Sequence, residues 1–376
     1  MKFFATAAKG TEGALRDELR AIRLPRVRAD RGGVHFEGEL GAGMRACLES
    51  RVAVRILCEL ARFEARDEGA LYDGVRAIEW GPHVTPRHTL AVSATCKDSN
   101  LTHSHYIALK TKDAVVDQLR DRFGSRPDVN PEDPDVAIVV RLVKNEATVY
   151  LDLSGESLHR RGYRVALTDA MMKESLAAAV IALSGWTPNL PFVDPMAGSG
   201  TLAIEAAMIS RRMAPGLRRE FAFERWASFE EALRREWTEL RECARARELP
   251  RTQAPIFASD GLSAAVEATR RNAERAGVVR DLDVSLRDAR DVTVSAPEGH
   301  VVTDPPYGDR LSAKPLQLAG FFRQLGDTFR AMRGWTVTVL SGNPLFQRNI
   351  GMTPELDQTL FNGPIECHLV RYRVRP

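Results

Sequence analysis

Four aspartates in the second half of the chain each follow a short apolar run of the kind that forms a buried strand. Asp194 ends "PFVD", Asp260 ends "IFASD", Asp288 follows "VSLR" and Asp304 ends "HVVTD". The runs alternate with helical stretches, which indicates a parallel sheet with helices on both faces. Because ligands of such sheets bind at the carboxyl ends of the strands, we expect the four carboxylates to line one ligand site.

A glycine loop follows the first of these acids and precedes a helix that starts near Thr201. The loop reads Ala197-Gly198-Ser199-Gly200, so it matches neither the dinucleotide fingerprint nor a P-loop. Glycines let the backbone approach a ligand closely, and the N–H groups of a helix start attract polar atoms. An acid beside such a loop suits a cation or an amine, such as the methionine part of S-adenosylmethionine (SAM). A tight strand-to-helix turn is the alternative explanation.

The next two acids fit the rest of SAM. Asp260, followed by Gly261, can accept hydrogen bonds from both ribose hydroxyls, and an ordinary helix cap is the alternative role. Asp288 can accept from the adenine amino group while Ala289 packs on the ring, and a plain loop residue is the alternative. Their register at successive strand ends favours the ligand-binding interpretation.

The motif Asp304-Pro305-Pro306-Tyr307 is stiff because each proline locks its backbone. It either stops the strand or grips a flat base. In a tight turn the Asp304 carboxylate and the Pro305 carbonyl would accept the two hydrogens of an exocyclic amine, while Tyr307 stacks on the base. The amine lone pair then meets the SAM methyl in line, mainly through positioning and electrostatics. The proton leaves through Asp304 or later to water, and both routes remain open.

Composition sets broad limits on what the protein does. A chain of 376 residues predicts two or three domains, and a net charge of +3 is weak evidence for a polyanionic partner. The five cysteines are scattered without a C-x-x-C pair, so neither a disulfide framework nor a cysteine zinc site is expected, and no metal is predicted. We find no signal peptide or membrane-spanning run, and we expect a cytoplasmic protein.

Changes of pattern divide the chain. Residues 41–60 look mostly helical, and Lys144-Asn145 predicts a turn between two strands. The predicted segments are an α+β unit at 1–55, a second mixed unit at 56–155, a linker at 156–167, and an alternating α/β domain at 168–376 with a helical insertion at 211–252.

These motifs carry a family resemblance. The stretches 194–201 and 304–308 resemble the amino-group methyltransferases that use a [D/N/S]-P-P-[Y/F] motif. The chain is also similar, nearly throughout and in the expected order, to THUMP-domain RNA methyltransferases of the RlmL type. The segments that carry this similarity are "FFATAAKGTEGALRDEL", "GGVHFEG", "LKTKDAVVD", "LDLSGESLHRRGYR" and "LFNGPIECHLVRYRV".

The resemblance implies an N-terminal ferredoxin-like domain, a THUMP RNA-binding domain and a Rossmann-like class I methyltransferase domain with a mostly parallel seven-stranded sheet. It also implies SAM-dependent N2-methylation of a guanosine in large-subunit ribosomal RNA. SAM would lie among Asp194, the glycine loop 197–201, Asp260-Gly261, Asp288-Ala289 and Asp304; the guanine would lie against Asp304, Pro305, Pro306 and Tyr307. The sequence departs from that family at Met196-Ala197, where phenylalanine-cysteine is frequent.

Three other functions stay open at this stage. Relatives that methylate tRNA guanosine share the architecture, and the D-P-P-Y motif alone also fits adenine N6-methylation of DNA. A non-catalytic RNA-binding factor for ribosome assembly is the alternative from another class, although it has no need of four strand-end acids. Because no second methyltransferase half follows residue 376, we expect a single activity. The oligomeric state is left open.

Overall fold

The computed structural model describes residues 1–166, 172–305 and 315–375. The chain forms two compact units. The first contains Met1–Thr6, Leu19–Leu158 and Arg219–Cys243. The second contains Ala7–Glu18, His159–Arg218 and the residues from Ala244 onward.

The first half of the chain is a mixed α+β structure, as its sequence pattern predicts. Its strands form one eight-stranded sheet in the order β2-β3-β1-β4-β8-β7-β5-β6. In chain order the elements are β1 (Lys2–Thr6), α1 (Glu12–Ala21), β2 (Arg28–Asp30), β3 (Gly33–Glu37), α2 (Leu40–Glu49), β4 (Arg55–Glu64), α3 (Glu68–Arg76), β5 (Thr89–Lys97), α4 (Ser104–Phe123), β6 (Asp128–Val129), β7 (Val136–Val143) and β8 (Glu146–Asp152).

The prediction that residues 41–60 are mostly helical is wrong in its second half. Helix α2 ends at Glu49, and β4 begins at Arg55 and pairs with both β1 and β8. Ile56, Leu57 and Cys58 are consecutive and all buried, because a central strand is covered on both faces. Such a short apolar run cannot be told from a helix by periodicity. The sheet therefore continues across the expected boundary at 55/56.

The predicted turn at Lys144-Asn145 is confirmed. Both residues have positive φ angles, 52° and 62°, and they join β7 to β8 with Val143 paired to Glu146. Two successive residues in this conformation make the hairpin turn whose twist matches that of the strands.

Neither the expected linker at 156–167 nor the expected insertion at 211–252 forms a separate segment in the part of the chain that the structure describes. Within the expected linker at 156–167, Arg161 and Tyr163 are buried, at 3% exposure each. The expected insertion at 211–252 contains a 3₁₀ turn at Ala222–Arg225 and a helix, and Arg219–Cys243 belongs to the first unit. The boundaries at 155/156 and 167/168 remain predictions.

The second half is a Rossmann-like α/β structure, as predicted. Its seven strands follow the order β11-β10-β9-β12-β13-β15-β14; the first five are parallel, and β15 is antiparallel to both its neighbours. The elements are α5 (Glu174–Ser184), β9 (Phe192–Asp194), α6 (Thr201–Ser210), α7 (Glu231–Ala246), β10 (Ile256–Asp260), α8 (Ser263–Ala276), β11 (Leu282–Leu286), β12 (His300–Thr303), α9 (Pro315–Ala331), β13 (Thr336–Ser341), α10 (Pro344–Asn349), β14 (Leu356–Asn362) and β15 (Ile365–Arg373).

Helices cover this sheet; α5 and α6 are buried nearly all round, whereas α9 packs through an apolar stripe. On α9 the buried residues recur every three or four positions, at Leu318, Phe322, Leu325 and Phe329. They share one apolar core with Phe346 of α10, whereas α5, α6 and α8 contribute to a second core. Both cores also include residues of the strands, so the helices are packed directly on the sheet. Across the described ranges, no helix is both long enough and apolar enough to cross a membrane.

Candidate active site

The strand order brings the four predicted acids to one edge of the sheet. Strands β11, β10, β9 and β12 are neighbours in that order and run parallel. Asp194 and Asp260 are the last residues of β9 and β10, Asp304 directly follows β12, and Asp288 lies two residues after β11. Pro306 and Tyr307, the other half of the predicted base grip, lie outside the described residues.

Asp194 is a buried carboxyl group at the centre of this edge, with 1% of its surface exposed. Its Oδ1 accepts hydrogen bonds from the Thr303 hydroxyl at 2.8 Å and from the Met196 N–H at 3.3 Å. Burial raises the pKa of Asp194 to about 7 from its ordinary value of 3.8; the two hydrogen bonds oppose this rise, and the charges of Asp260 and Asp304 add to it. Such a carboxylate is poised to accept a cation.

The glycine loop between β9 and α6 needs glycine at two positions. Gly198 and Gly200 have φ angles of +56° and +84°, a region that favours residues without a side chain. A Cβ on Gly200 would lie 2.7 Å from Cγ2 of Thr269 on α8, so the loop also packs too closely for alanine. The loop is anchored to β10 by the Ala197 N–H, which donates to the Ser259 carbonyl at 2.9 Å.

The side chains of Ser199 and Thr201 are buried and interact within the protein. They are 5% and 6% exposed, and their hydroxyls lie 3.4 Å apart. Arg164 donates to Thr201 Oγ1 at 3.2 Å and to Glu174 Oε1 at 3.0 Å. Arg164 therefore links the glycine loop to the start of α5.

Asp260 links its strand end to the glycine loop. Its Oδ2 accepts from the Gly198 N–H and its Oδ1 from the Leu262 N–H, both at 3.0 Å. Each carboxylate oxygen has two lone pairs, so one remains on each oxygen that can accept a hydrogen bond from a ligand. Leu262 is the N-cap residue of α8, so Asp260 is not the helix cap that the sequence offered as the alternative.

The Asp288 carboxylate is paired with Arg290, which lowers the pKa of Asp288 to about 2. It accepts from the Arg290 backbone at 2.9 Å and from the guanidinium at 2.8 and 2.6 Å, which leaves one lone pair on Oδ2. Ala289 is buried in a core cluster, whereas Leu262 and Leu286 at the same edge are 69% and 61% exposed. These two leucines, which the sequence analysis missed, offer apolar surface beside the acids.

Thr303, Thr269 and Asn272 are further residues that sequence reasoning missed. Thr303 binds Asp194, Thr269 donates to the Gly198 carbonyl at 3.1 Å, and Asn272 donates to the Ser199 carbonyl at 2.9 Å. A buried carboxyl with a raised pKa suits the amine of SAM, the backbone of the glycine loop can approach SAM closely, and a second acid bonded to that loop suits its ribose. Asp304 and the buried Pro305 follow β12 at the same edge of the sheet.

The chain matches three known protein families. Residues 161–371, more than half of the chain, match the family described as RMKL-like, methyltransferase domain. Residues 65–152 match the THUMP domain, and residues 2–57 match the RlmL ferredoxin-like domain.

Individual proteins resemble the chain over its whole length. Ribosomal RNA large subunit methyltransferase K/L of Syntrophotalea carbinolica is 40% identical over all of this chain, which spans 54% of that relative. A Synechocystis sp. protein with the provisional name of RNA methyltransferase is 36% identical over 99% of this chain and 96% of its own length. The crystal structure of SMU.472, provisionally a methyltransferase, in complex with SAH has a TM-score of 0.90 and 32% identity, covering 100% of this chain and 98% of that one.

Proposed function

This chain belongs to the RMKL-like methyltransferase family, and from that premise we propose that it transfers a methyl group from SAM to the exocyclic N2 of a guanosine in large-subunit ribosomal RNA. One observation carries the proposal. The Asp304-Pro305 half of the amine-binding motif stands at a strand end beside the buried Asp194 and the glycine loop.

The cofactor would be held along the edge formed by β9, β10 and β11. Asp194 would accept the ammonium of the methionine part, Asp260 the ribose hydroxyls, and Asp288 the adenine amino group, with Leu262 and Leu286 against the ring. When bound, SAM supplies an electrophilic methyl group on a sulfonium. The SMU.472 structure, which contains the demethylated product SAH and matches this chain over its full length, supports this choice of cofactor.

The residues after β12 would orient the acceptor. The Asp304 carboxylate and the Pro305 carbonyl would each accept one hydrogen of the guanine amino group, so that the nitrogen lone pair points at the methyl. Fixing the two reactants in this way lowers the barrier chiefly by removing translational and rotational freedom. Tyr307 would stack on the base, and the proton would pass to Asp304 or to water.

Ribosomal RNA is the favoured substrate because the K/L relative, 40% identical to this chain, is named for it. This chain spans about half of that relative's length, so the activity of the whole relative does not transfer directly. The match to a THUMP domain favours RNA over DNA. Guanosine in tRNA is the second candidate within this class. Since ribosomal RNA is made and modified in the bacterial cytoplasm, we propose that location.

A labelling experiment tests the proposed substrate. The purified chain is incubated with methyl-labelled SAM and, separately, with unmodified ribosomal RNA, tRNA and DNA, and the labelled nucleoside is then identified. We expect N2-methylguanosine in large-subunit ribosomal RNA. Label in tRNA guanosine alone would move the function to the second candidate, label in DNA adenine alone would overturn the proposal, and no label in any nucleic acid would favour a binding factor.

Replacing Asp260 with alanine should weaken cofactor binding. The variant loses two charge-assisted hydrogen bonds to the ribose and leaves the Gly198 N–H without its acceptor. Hydrogen bonds to charged groups contribute about 1.5–3 kcal/mol each, so loss of two should raise the dissociation constant for S-adenosylhomocysteine about 150-fold or more. Isothermal titration calorimetry measures this change directly.

The matched control is Asp283→Ala, which removes an exposed carboxylate from the neighbouring strand β11. Asp283 pairs in register with Phe257 near the start of β10, away from the carboxyl ends of the strands. Its affinity should equal that of the wild type. An Asp260→Ala variant that binds the product as tightly as the wild type does would remove the ribose assignment.

A further inference from the structure

We propose that Thr269 and Asn272, one turn apart on α8, are positioning residues that orient the glycine loop for the cofactor. The two side chains bind the carbonyls of two successive loop residues, Gly198 and Ser199. The inference rests on the proposed function, because it assigns the loop to SAM.

Asn272 uses its whole hydrogen-bonding capacity inside the protein. The side chain is 1% exposed. Its Oδ1 accepts from the Val165 and Ala166 N–H groups, both at 2.9 Å. Its Nδ2 donates to the Ala166 carbonyl at 3.0 Å and to the Ser199 carbonyl at 2.9 Å. An amide has two donors and two acceptor positions, so Asn272 ties the segment before residue 167 to the glycine loop with no group left over.

Thr269 fixes the orientation of the Gly198–Ser199 peptide. Its hydroxyl donates to the Gly198 carbonyl at 3.1 Å, and the side chain is fully buried. In a trans peptide the C=O and N–H point in opposite directions. Because the carbonyl points at α8, the Ser199 N–H points away from α8.

The Ser199 N–H is the donor that this arrangement leaves for a ligand. The neighbouring N–H groups of Gly198 and Gly200 are already bonded, to Asp260 at 3.0 Å and to the Ala197 carbonyl at 2.7 Å. Within residues 172–305 and the other described ranges, the Ser199 N–H donates to no acceptor. A ligand atom that accepts hydrogen bonds, such as a carboxylate oxygen of the methionine part, fits this position. Thr269 therefore acts on the cofactor through the loop.

The test is calorimetric binding of S-adenosylhomocysteine to the full chain, first to the wild type and then to paired variants. Thr269→Val keeps the shape and removes the hydroxyl, so the peptide loses its anchor, and we expect the dissociation constant to rise about tenfold. Thr269→Ser restores the hydroxyl and should return the affinity to within about twofold of the wild type. Asn272→Asp keeps the acceptor oxygens but loses the donors to both carbonyls, and it should also weaken binding.

A control variant separates positioning from a general loss of stability. Val278→Ala truncates a fully buried core residue just after the end of α8, so it should lower the melting temperature without changing the affinity. The proposal is overturned if Thr269→Val binds like the wild type, if Thr269→Ser fails to restore binding, or if Val278→Ala weakens binding as much as Thr269→Val. A wild-type chain that binds no S-adenosylhomocysteine would instead refute the proposed function.

Discussion

The Asp304→Ala variant is expected to lose methyl transfer while it keeps its cofactor. Without the carboxylate, only the Pro305 carbonyl remains to accept a hydrogen of the amine, and the nitrogen is no longer aimed at the methyl. Loss of one polar partner that binds the reacting group costs about 10²–10³ in rate, and loss of orientation adds to this, so we expect single-turnover transfer to fall about 1000-fold. Rapid-quench assays with methyl-labelled SAM measure the rate.

The second expected result for Asp304→Ala concerns its affinity for the product S-adenosylhomocysteine. Asp304 contributes to the raised pKa of Asp194, so its removal should lower that pKa and leave product affinity at neutral pH unchanged or slightly higher. Asp304→Asn keeps one acceptor oxygen and should retain more activity than Asp304→Ala. Asp291→Ala, which removes an exposed acid from the same unit, is the control and should turn over normally. Normal turnover by Asp304→Ala would end the role assigned to this carboxylate.

The strand-end acids could be located from the sequence because the features that mark them are contiguous. An apolar run, an acid and a glycine or proline turn lie within ten residues at Asp194 and Asp304. The rules for parallel sheets then place such residues at one edge without knowledge of the tertiary structure. The residue types suggest partners for an amine, a ribose and a flat base, whereas guanosine in ribosomal RNA was implied only by the family resemblance.

The residues that hydrogen-bond to Asp194 and to the glycine loop could not be found from the sequence in the same way. Thr303 lies 109 residues from Asp194, and Thr269 lies 71 residues from Gly198, so each contact depends on how elements pack. A lone threonine near a strand end or on a helix carries no local mark of such a role. Helix α8 shows the difficulty, since its sequence predicts an ordinary amphipathic helix. The error at residues 50–60 has a related cause, since a central strand that is buried on both faces loses its alternation.

The contacts around Asp194 determine how much its buried carboxylate destabilises the folded protein. Asp194 is buried with the charges of Asp260 and Asp304 close enough to raise its pKa, while Thr303 and the Met196 N–H partly compensate. A carboxylate in this position is unfavourable until a cation arrives. We therefore infer that cofactor binding relieves a destabilising feature of the empty site.

Asp194→Asn should therefore stabilise the empty protein and weaken its binding of SAM. The pKa of Asp194 in the folded chain, about 7, lies above its ordinary value of 3.8, so folding favours the protonated form. The penalty for the ionised group is absent at low pH, grows as the pH rises from about 4 to about 7, and is then constant. Asparagine removes it, so we expect a gain in unfolding free energy on the order of a few kcal/mol at about pH 8 and little gain at about pH 4.

As the pH rises, the stability of the empty wild-type protein should fall, whereas its affinity for the cofactor should rise. Only the ionised Asp194 attracts an ammonium, so wild-type affinity for S-adenosylhomocysteine should rise with pH through about 7, whereas Asp194→Asn should bind about 100-fold more weakly at about pH 8 and lack this dependence. Thr303→Val is the matched variant. It removes the hydroxyl that stabilises the carboxylate, so the pH at which wild-type binding strengthens should move upward. Thermal melts and calorimetry across this pH range measure both effects. A stability gain that does not depend on pH would show that folding does not raise the pKa of Asp194, and its place opposite the ammonium would then lose its physical basis.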